Sequence, residues 1–214
     1  MKEKEEERLD NLKKYEENLY NEGYKFICGI DEAGRGPLAG PVVVGAAVMP
    51  RDSKLEWVND SKKVTEKRRE ILYDRITEEA LACGVGIISE KEIDELNILN
   101  ATKKGLHLAL GEVIEKLKQK PDIVIVDALR DIDTFEIPYQ SIIKGDATCY
   151  SISCASILAK VTRDRIMREW NEVYPMYDFE KNKGYGTAEH IKALKQYGPC
   201  PIHRRTFIKH FVNV

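Results

Sequence analysis

The sequence predicts an α/β domain with a mixed sheet flanked by helices, and three observations lead there. Short runs of β-branched residues recur along the chain, several too continuously apolar to leave a face in water. Between them lie stretches with apolar residues at helical spacings of three and four. The 214 residues, 43% hydrophobic and 33% charged, suffice for one domain with a sizeable core.

The elements follow in chain order. Residues 1–22 read as a charged helix with an apolar stripe at Leu9, Leu12, Tyr15 and Leu19, ended by Gly23. This divides the chain into a helical appendage, 1–22, and a main domain, 23–214. Two strand-like runs come next, "YKFICGI" and "PVVVGAAVM". A helix over "TEKRREILYDRITEEALA" then leads to a third run, "CGVGIIS", and "SEKE" at 89–92 is a capping box opening a short helix. A longer helix across "NATKKGLHLALGEVIEKLKQ" is stopped by Pro121. "DIVIVDAL", 122–129, has the composition of a strand covered on both faces, and "YQSIIKGD", ending at Asp146, is a shorter run of the same kind. A long helix over about Ser151–Val173 carries Ala155, Leu158, Ala159, Ile166, Trp170 and Val173 on its apolar side, and Pro175 closes it. Thr187 caps a last helix that Gly198 and Pro199 terminate. The predicted order is β-β-α-β followed by α-β-α-β-α.

Composition excludes several classes. No apolar run approaches the ~20 residues that span a bilayer, and the start "MKEKEEERLD" is too charged for a signal peptide. The five cysteines lack CxxC spacing, and an odd number suits neither a disulfide framework nor a zinc site. Free thiols in the reducing cytoplasm are expected. The net charge of −2 hides an uneven distribution: residues 181–214 carry seven Lys/Arg against the single Glu189. Local charge density governs attraction to a polyanion, so this segment is either a nucleic-acid contact or a solvated basic face.

Asp31 with Glu32, Asp127 and Asp146 each fall at the end of a strand-like run. Sites in open α/β sheets lie beyond strand ends, where loops converge on a rigid frame. Four carboxylates gathered there demand cations, and an all-oxygen donor set selects Mg²⁺ or Mn²⁺ over zinc. Two such ions ~3.5–4 Å apart suit an in-line displacement at phosphorus, which makes phosphodiester hydrolysis the expected chemistry. The bland alternative is that each acid is a helix cap or surface ion-pair partner. Directly after the first pair comes "AGRGPLAGP", in which Gly34 and Gly36 let backbone approach a ligand and Arg35 offers a planar cation to phosphate. A tight turn would account for the same glycines. Asp164 in "TRDR" is a further carboxylate, read as a structural ion pair, and His203 in "PIHRR" as a hydrogen-bonded structural histidine.

The motifs "GIDEAGRGPLAGPVVVGAAV", "NDSKKV", "IVIVDAL", "IIKGDATCYSISCASILAKVTRDR" and "KNKGYGT" succeed one another as in bacterial ribonuclease HII, the type 2 ribonuclease H family, and the chain resembles it from about Tyr24 to Phe211. The resemblance implies a ribonuclease H-like five-stranded sheet with a C-terminal helical extension. It also implies cleavage of the RNA strand of RNA/DNA hybrids and nicking of DNA 5′ to an embedded ribonucleotide, leaving 3′-hydroxyl and 5′-phosphate ends. Asp31, Glu32, Asp127 and Asp146 fall on the family's catalytic, metal-holding acids, Gly34, Arg35 and Gly36 on its substrate turn, and Tyr185 on its junction-reading tyrosine. Lys62, Arg204 and Arg205 look like phosphate contacts. Ala128 departs from the glycine that many relatives place after the third acid. The expected partners are RNA/DNA hybrids and DNA containing ribonucleotides, with no membrane and a monomeric chain. Two alternatives stand beside this reading: the sister ribonuclease HIII family, and a hybrid-binding module without catalysis.

Overall fold

Strands β1 (Ile27–Ala33), β2 (Val42–Val48), β3 (Ala82–Ile88), β4 (Ile123–Asp127) and β5 (Tyr139–Ile142) form one sheet in the order β3-β2-β1-β4-β5. They belong to a computed structural model that describes residues 2–212; Met1, Asn213 and Val214, which the expected division includes, lie outside the described residues. β2 runs antiparallel to both β1 and β3, whereas β1, β4 and β5 are parallel. The carboxyl ends of β1, β4 and β5 therefore share one edge. The Ile30–Val126 pairing fixes the register there, and one step further along lie Asp31 and Asp127.

Helices cover both faces. On one, α4 (Ile98–Leu117) packs Leu106, Ala109, Leu110 and Val113 against Cys28, Ile30, Val44 and Val126. On the other lies α6 (Tyr150–Val173), which comes so close to β1 that a Cβ on Gly29 would run into the Ser151 backbone. Only a glycine lets helix and strand meet at that distance. The first turns of α6 are buried nearly all round, but the expected stripe does not reach its end, and Val173 is 58% exposed. The N-terminal helix α1 (Lys2–Asn21) inserts Leu9 and Leu12 into the cluster around Ile157 and Leu158, while buried Glu16 accepts hydrogen bonds from the Ser151 N–H and hydroxyl at 2.7 and 2.8 Å. Burial pushes the Glu16 carboxyl up to about 7.

The remaining helices are α2 (Glu66–Glu79), α3 (Glu90–Leu96), α5 (Gly145–Thr148), α7 (Phe179–Asn182), α8 (Ala188–Tyr197) and α9 (Arg205–Ile208). Ser89 and Glu92 complete the expected capping box, and the Thr187 side chain caps α8. The helix expected between the fourth and fifth strands is absent; β4 crosses to β5 through the irregular loop 128–138. Ala128, Asp131, Phe135 and Glu136 all take left-handed φ values of 47–65° there, a pattern no α-helix sustains.

Candidate active site

Parallel pairing of β1 with β4 sets Asp31 beside Asp127 at the sheet edge. Asp146 reaches the same place differently from the sequence expectation. β5 ends at Ile142, Lys144 turns left-handed (φ 59°), and Asp146 sits in the first turn of α5. The turn is fastened at two points: the Gly145 N–H donates to Asp127 Oδ1 at 2.8 Å, and the Ser153 hydroxyl to the Asp146 carbonyl at 2.8 Å. Ala128 directly follows Asp127 at φ 47°. This is the position for which a glycine carries no Cβ penalty; an alanine gives up roughly 1–2 kcal/mol to hold it.

Each acid feels its burial and its neighbours. Burial, then the charges of Glu32, Asp127 and Asp146, hold the Asp31 carboxyl well above the usual carboxylate range. Burial also raises Glu32, against the pull of Arg35, whose Nη1 is 3.4 Å from Glu32 Oε1. Asp127 is raised by burial and Asp146, partly offset by the Gly145 N–H. Lys62, on the short 3₁₀ turn Ser61–Lys63, places Nζ 3.4 Å from Asp146 Oδ2 while remaining 79% exposed. Lys62, Asp127, Lys144 and Asp146 line an open cleft of about 510 Å³. In a larger hollow of about 710 Å³ beside α1, four of the lining charges pair with one another, Lys54 with Asp10 and Arg51 with Glu17.

The acids fit hard divalent cations in chemistry. The donor set is entirely oxygen, and Glu32 Oε2 is buried without a hydrogen-bond partner among the described residues, a costly state that a cation would relieve. Among the described residues, no three carboxylates have already drawn together around a common point. Repulsion among four acids, only two of which have a cationic partner within 4 Å among the described residues, opposes closer approach.

The glycine–arginine–glycine turn adjoins the acids through the Arg35–Glu32 contact. Gly34 has φ +95°, and a Cβ there would strike the Arg163 guanidinium. Tyr185 is 45% exposed, and a Cβ on Gly36 would lie 3.9 Å from Tyr185 Cε1. Structure thus brings Asp31, Glu32, Gly34, Arg35, Gly36, Lys62, Asp127, Asp146 and Tyr185 along one continuous surface.

One expectation fails. Arg204 is fully buried and touches no solvent where phosphate would lie; it donates to the carbonyls of Gly34, Arg35, Gly40 and Pro41 at 2.6–3.1 Å. Burial, with Arg163 nearby, pushes it down to about 9. Arg205 is exposed, its backbone N–H bound to Asp94 at 2.6 Å. Sequence reasoning also missed Arg163, fully buried and donating to Pro41, Lys183 and Ala39 carbonyls at 2.9–3.1 Å. Asp164 is a structural ion pair as expected, though with Lys160 and Arg69, not with its sequence neighbours. His203 is buried and hydrogen-bonded to His190 at 3.0 Å.

Comparison with known proteins agrees over nearly the whole length. A family model described as Ribonuclease HII matches residues 28–211. Ribonuclease HII of Acetivibrio thermocellus is 56% identical over 210 residues, covering 98% of this chain and 80% of that protein. Among solved structures, ribonuclease H2 from Pyrococcus horikoshii superposes with a TM-score of 0.70 at 30% identity, over 88% of this chain and 100% of that one. Bst-RNase HIII, solved in complex with Mn²⁺, shares the fold alone, at a TM-score of 0.64 and 18% identity over 88% of this chain and 65% of that one.

Proposed function

Because the chain belongs to the ribonuclease HII family, we propose that Asp31, Glu32, Asp127 and Asp146 are its catalytic and metal-holding acids. The chain is an endoribonuclease acting on RNA in RNA/DNA hybrids, and its family is metal-dependent. We take the reading further. The enzyme also nicks DNA 5′ to an embedded ribonucleotide, with Mg²⁺ or Mn²⁺ in a two-metal site, leaving 3′-hydroxyl and 5′-phosphate ends. The observation that carries the assignment is the side-by-side placement of Asp31 and Asp127, with Asp146 fastened beside them and Glu32 Oε2 unpartnered.

The chain's own groups have separable tasks. Asp31 and Asp127, on rigid strands, and Asp146, pinned by Ser153, form an anionic frame that divalent cations complete. When bound, those ions neutralise the phosphate and supply a nucleophile from water at neutral pH. Lys62 and Arg35 lie where phosphates on either side of the cut would pass, and position the backbone without reading sequence. A 2′-hydroxyl is the group that separates RNA from DNA at a given sugar. The Gly34–Gly36 backbone can approach it without side-chain bulk, and the Tyr185 ring can lie against the following deoxyribose. Five free cysteines suit a reducing cytoplasm, and a monomer belongs to the same proposal. Among the described residues no helix is long and apolar enough to cross a membrane.

The test is cleavage of a DNA duplex with one ribonucleotide, with Mg²⁺ and with excess EDTA. A single nick on the 5′ side, with 3′-hydroxyl and 5′-phosphate ends and lost in EDTA, is expected. Persistence in EDTA, or a 2′,3′-cyclic phosphate from attack by the sugar's own hydroxyl, would overturn the mechanism.

A further inference from the structure

Two arginines inside the molecule have no use in the mechanism so far. Arg163 and Arg204 are both fully buried, and among the described residues neither has a carboxylate partner. Burying an unpaired cation is expensive unless dipoles replace its hydration. Here those dipoles are all backbone carbonyls. Arg204 takes Gly34, Arg35, Gly40 and Pro41, while Arg163 takes Ala39, Pro41 and Lys183. Both guanidinium groups therefore sit beneath the glycine turn, and Arg163 ties that turn to the strand of chain leading into Tyr185.

The geometry has a consequence for the outer surface. In a trans peptide the C=O and N–H of one plane point in opposite directions. The Gly34 carbonyl shares its plane with the Arg35 N–H, and the Arg35 carbonyl with the Gly36 N–H. Arg204 draws both carbonyls inward, so both N–H groups are turned outward. Residues 35 and 36 are exposed, and neither N–H has an acceptor among the described residues. Two successive free N–H donors on a glycine turn make a concavity for one oxygen-rich group.

We propose that Arg204 and Arg163 are positioning residues for ribose recognition: Arg204 aims the Arg35 and Gly36 N–H groups at the 2′-hydroxyl, and Arg163 locks the Tyr185 segment to that turn. This rests on the reading of the turn and Tyr185 as the sugar-reading surface. Arginine is required because only a planar fork with five donors reaches several carbonyls at once. A lysine keeps the charge and not the span.

The experiment compares wild type, Arg204→Lys and Arg163→Lys, each as the full chain with folding checked by thermal melting. Readouts are single-turnover cleavage of a duplex with one ribonucleotide, and affinity for the same duplex made wholly of DNA, across a salt series. Arg204→Lys should cut the single-ribonucleotide rate about 10- to 100-fold, less than the ~10²–10³-fold that outright loss of a pre-organised donor costs. All-DNA affinity and its salt slope should not move, since neither arginine meets a phosphate. A rate within twofold of wild type, or an equal loss in all-DNA binding, overturns the proposal. If wild type itself fails to discriminate ribose from deoxyribose, the sugar-reading assignment falls and takes the proposal with it. A second measurement needs no variant. With EDTA present so that nothing is cut, the ¹⁵N–H signals of Arg35 and Gly36 should shift on adding the ribonucleotide duplex more than on adding the all-DNA one. Equal shifts overturn the proposal even if both lysine variants fail to fold.

Discussion

The two halves of the cleft are built on opposite electrostatic plans. On the acid side, Lys62 and Arg35 each stand 3.4 Å from one of the four carboxylates, and one buried Glu32 oxygen has no partner among the described residues. On the glycine side, two buried guanidinium groups spend their donors on six residues' carbonyls, and the turn they support is fully determined. The acid side is incomplete without added cations, whereas the glycine side is finished on folding. Under the proposed roles, a nuclease that must release its product gains from that division: the part that would read the sugar is pre-organised, and the part that would carry the chemistry is assembled only when ions and substrate meet.

The largest break in this comparison comes from Asp31→Asn. One carboxylate fewer in an under-neutralised site should abolish cleavage, a loss beyond ~10³-fold by analogy with other pre-organised electrostatic groups. Stability of the metal-free protein should move the other way. The folded-state pKa of Asp31 is raised above the ordinary 3.8, so its favourable contribution is complete below 3.8 and is lost as pH rises through the folded value. The asparagine variant lacks that loss. Denaturant melts in EDTA at pH 4 and pH 7.5 should show it equal to wild type, or more stable, with the difference growing toward neutral pH. Wild-type turnover in Mg²⁺, or a variant less stable at pH 7.5, would sink the charge argument.

Tyr185→Ala sharpens the glycine side next. The Tyr185 N–H bonds to the Asn182 carbonyl at 2.9 Å, and its carbonyl accepts from Thr187 and His190 at 2.8 Å. Those backbone ties survive the substitution, so the loop should keep its place while losing the ring. Aromatic stacking on a base is worth ~1–3 kcal/mol, and a ring–sugar contact no more. Cleavage at a single ribonucleotide should fall about 10- to 100-fold if the contact forms in the transition state. Cleavage of a continuous RNA/DNA hybrid should fall much less, and Tyr185→Phe should lose little on either. Equal losses on the two substrates at one salt concentration would reduce Tyr185 to a loop support.

How much of this the sequence disclosed differs between the halves for a physical reason. Asp31 and Asp127 were readable because an apolar run ending in an acid is a local signal, and parallel pairing does the rest. Asp146 was found as a residue but misplaced as a strand end, since the left-handed Lys144 that turns the chain into α5 has no residue-type signature. The predicted element order places a helix where the loop 128–138 runs for the same reason: four left-handed residues in it are not glycines. Arg204 was misassigned to the surface because arginines are rarely buried. Its cradle joins residues 34–41 to a side chain more than 160 positions away, a contact without local trace. The Ala128 departure is explained by its φ of 47°, a backbone state that the residue type alone does not reveal. The sister-family alternative was settled by comparison: the relative at 56% identity is a ribonuclease HII, whereas the type III structure shares the fold at 18%.

Arg35 belongs to both halves and offers the smallest and most diagnostic change. Its backbone is fixed by Arg204, while its side chain, 44% exposed, rests against Glu32. In the metal-free protein it therefore serves as a partial counter-ion, and with substrate bound it would turn to phosphate. Arg35→Ala should leave the turn intact, because the carbonyl that Arg204 holds remains. Substrate affinity should weaken, and the slope of log K against log salt should lessen by about one unit, as for the loss of one phosphate contact. Divalent-ion affinity should stay level or tighten slightly, since the side chain that competes for Glu32 Oε1 is gone. At the same time the Glu32 carboxyl should rise further, because Arg35 is the strongest of the charges that pull it down, so any tightening should fade at lower pH where Glu32 protonates. Titrating Mn²⁺ calorimetrically at two pH values, and the duplex across a salt series, separates these effects. An unchanged salt slope would show that Arg35 serves only the acids; a fall in ion affinity at neutral pH would show that it supports them and does not compete for them.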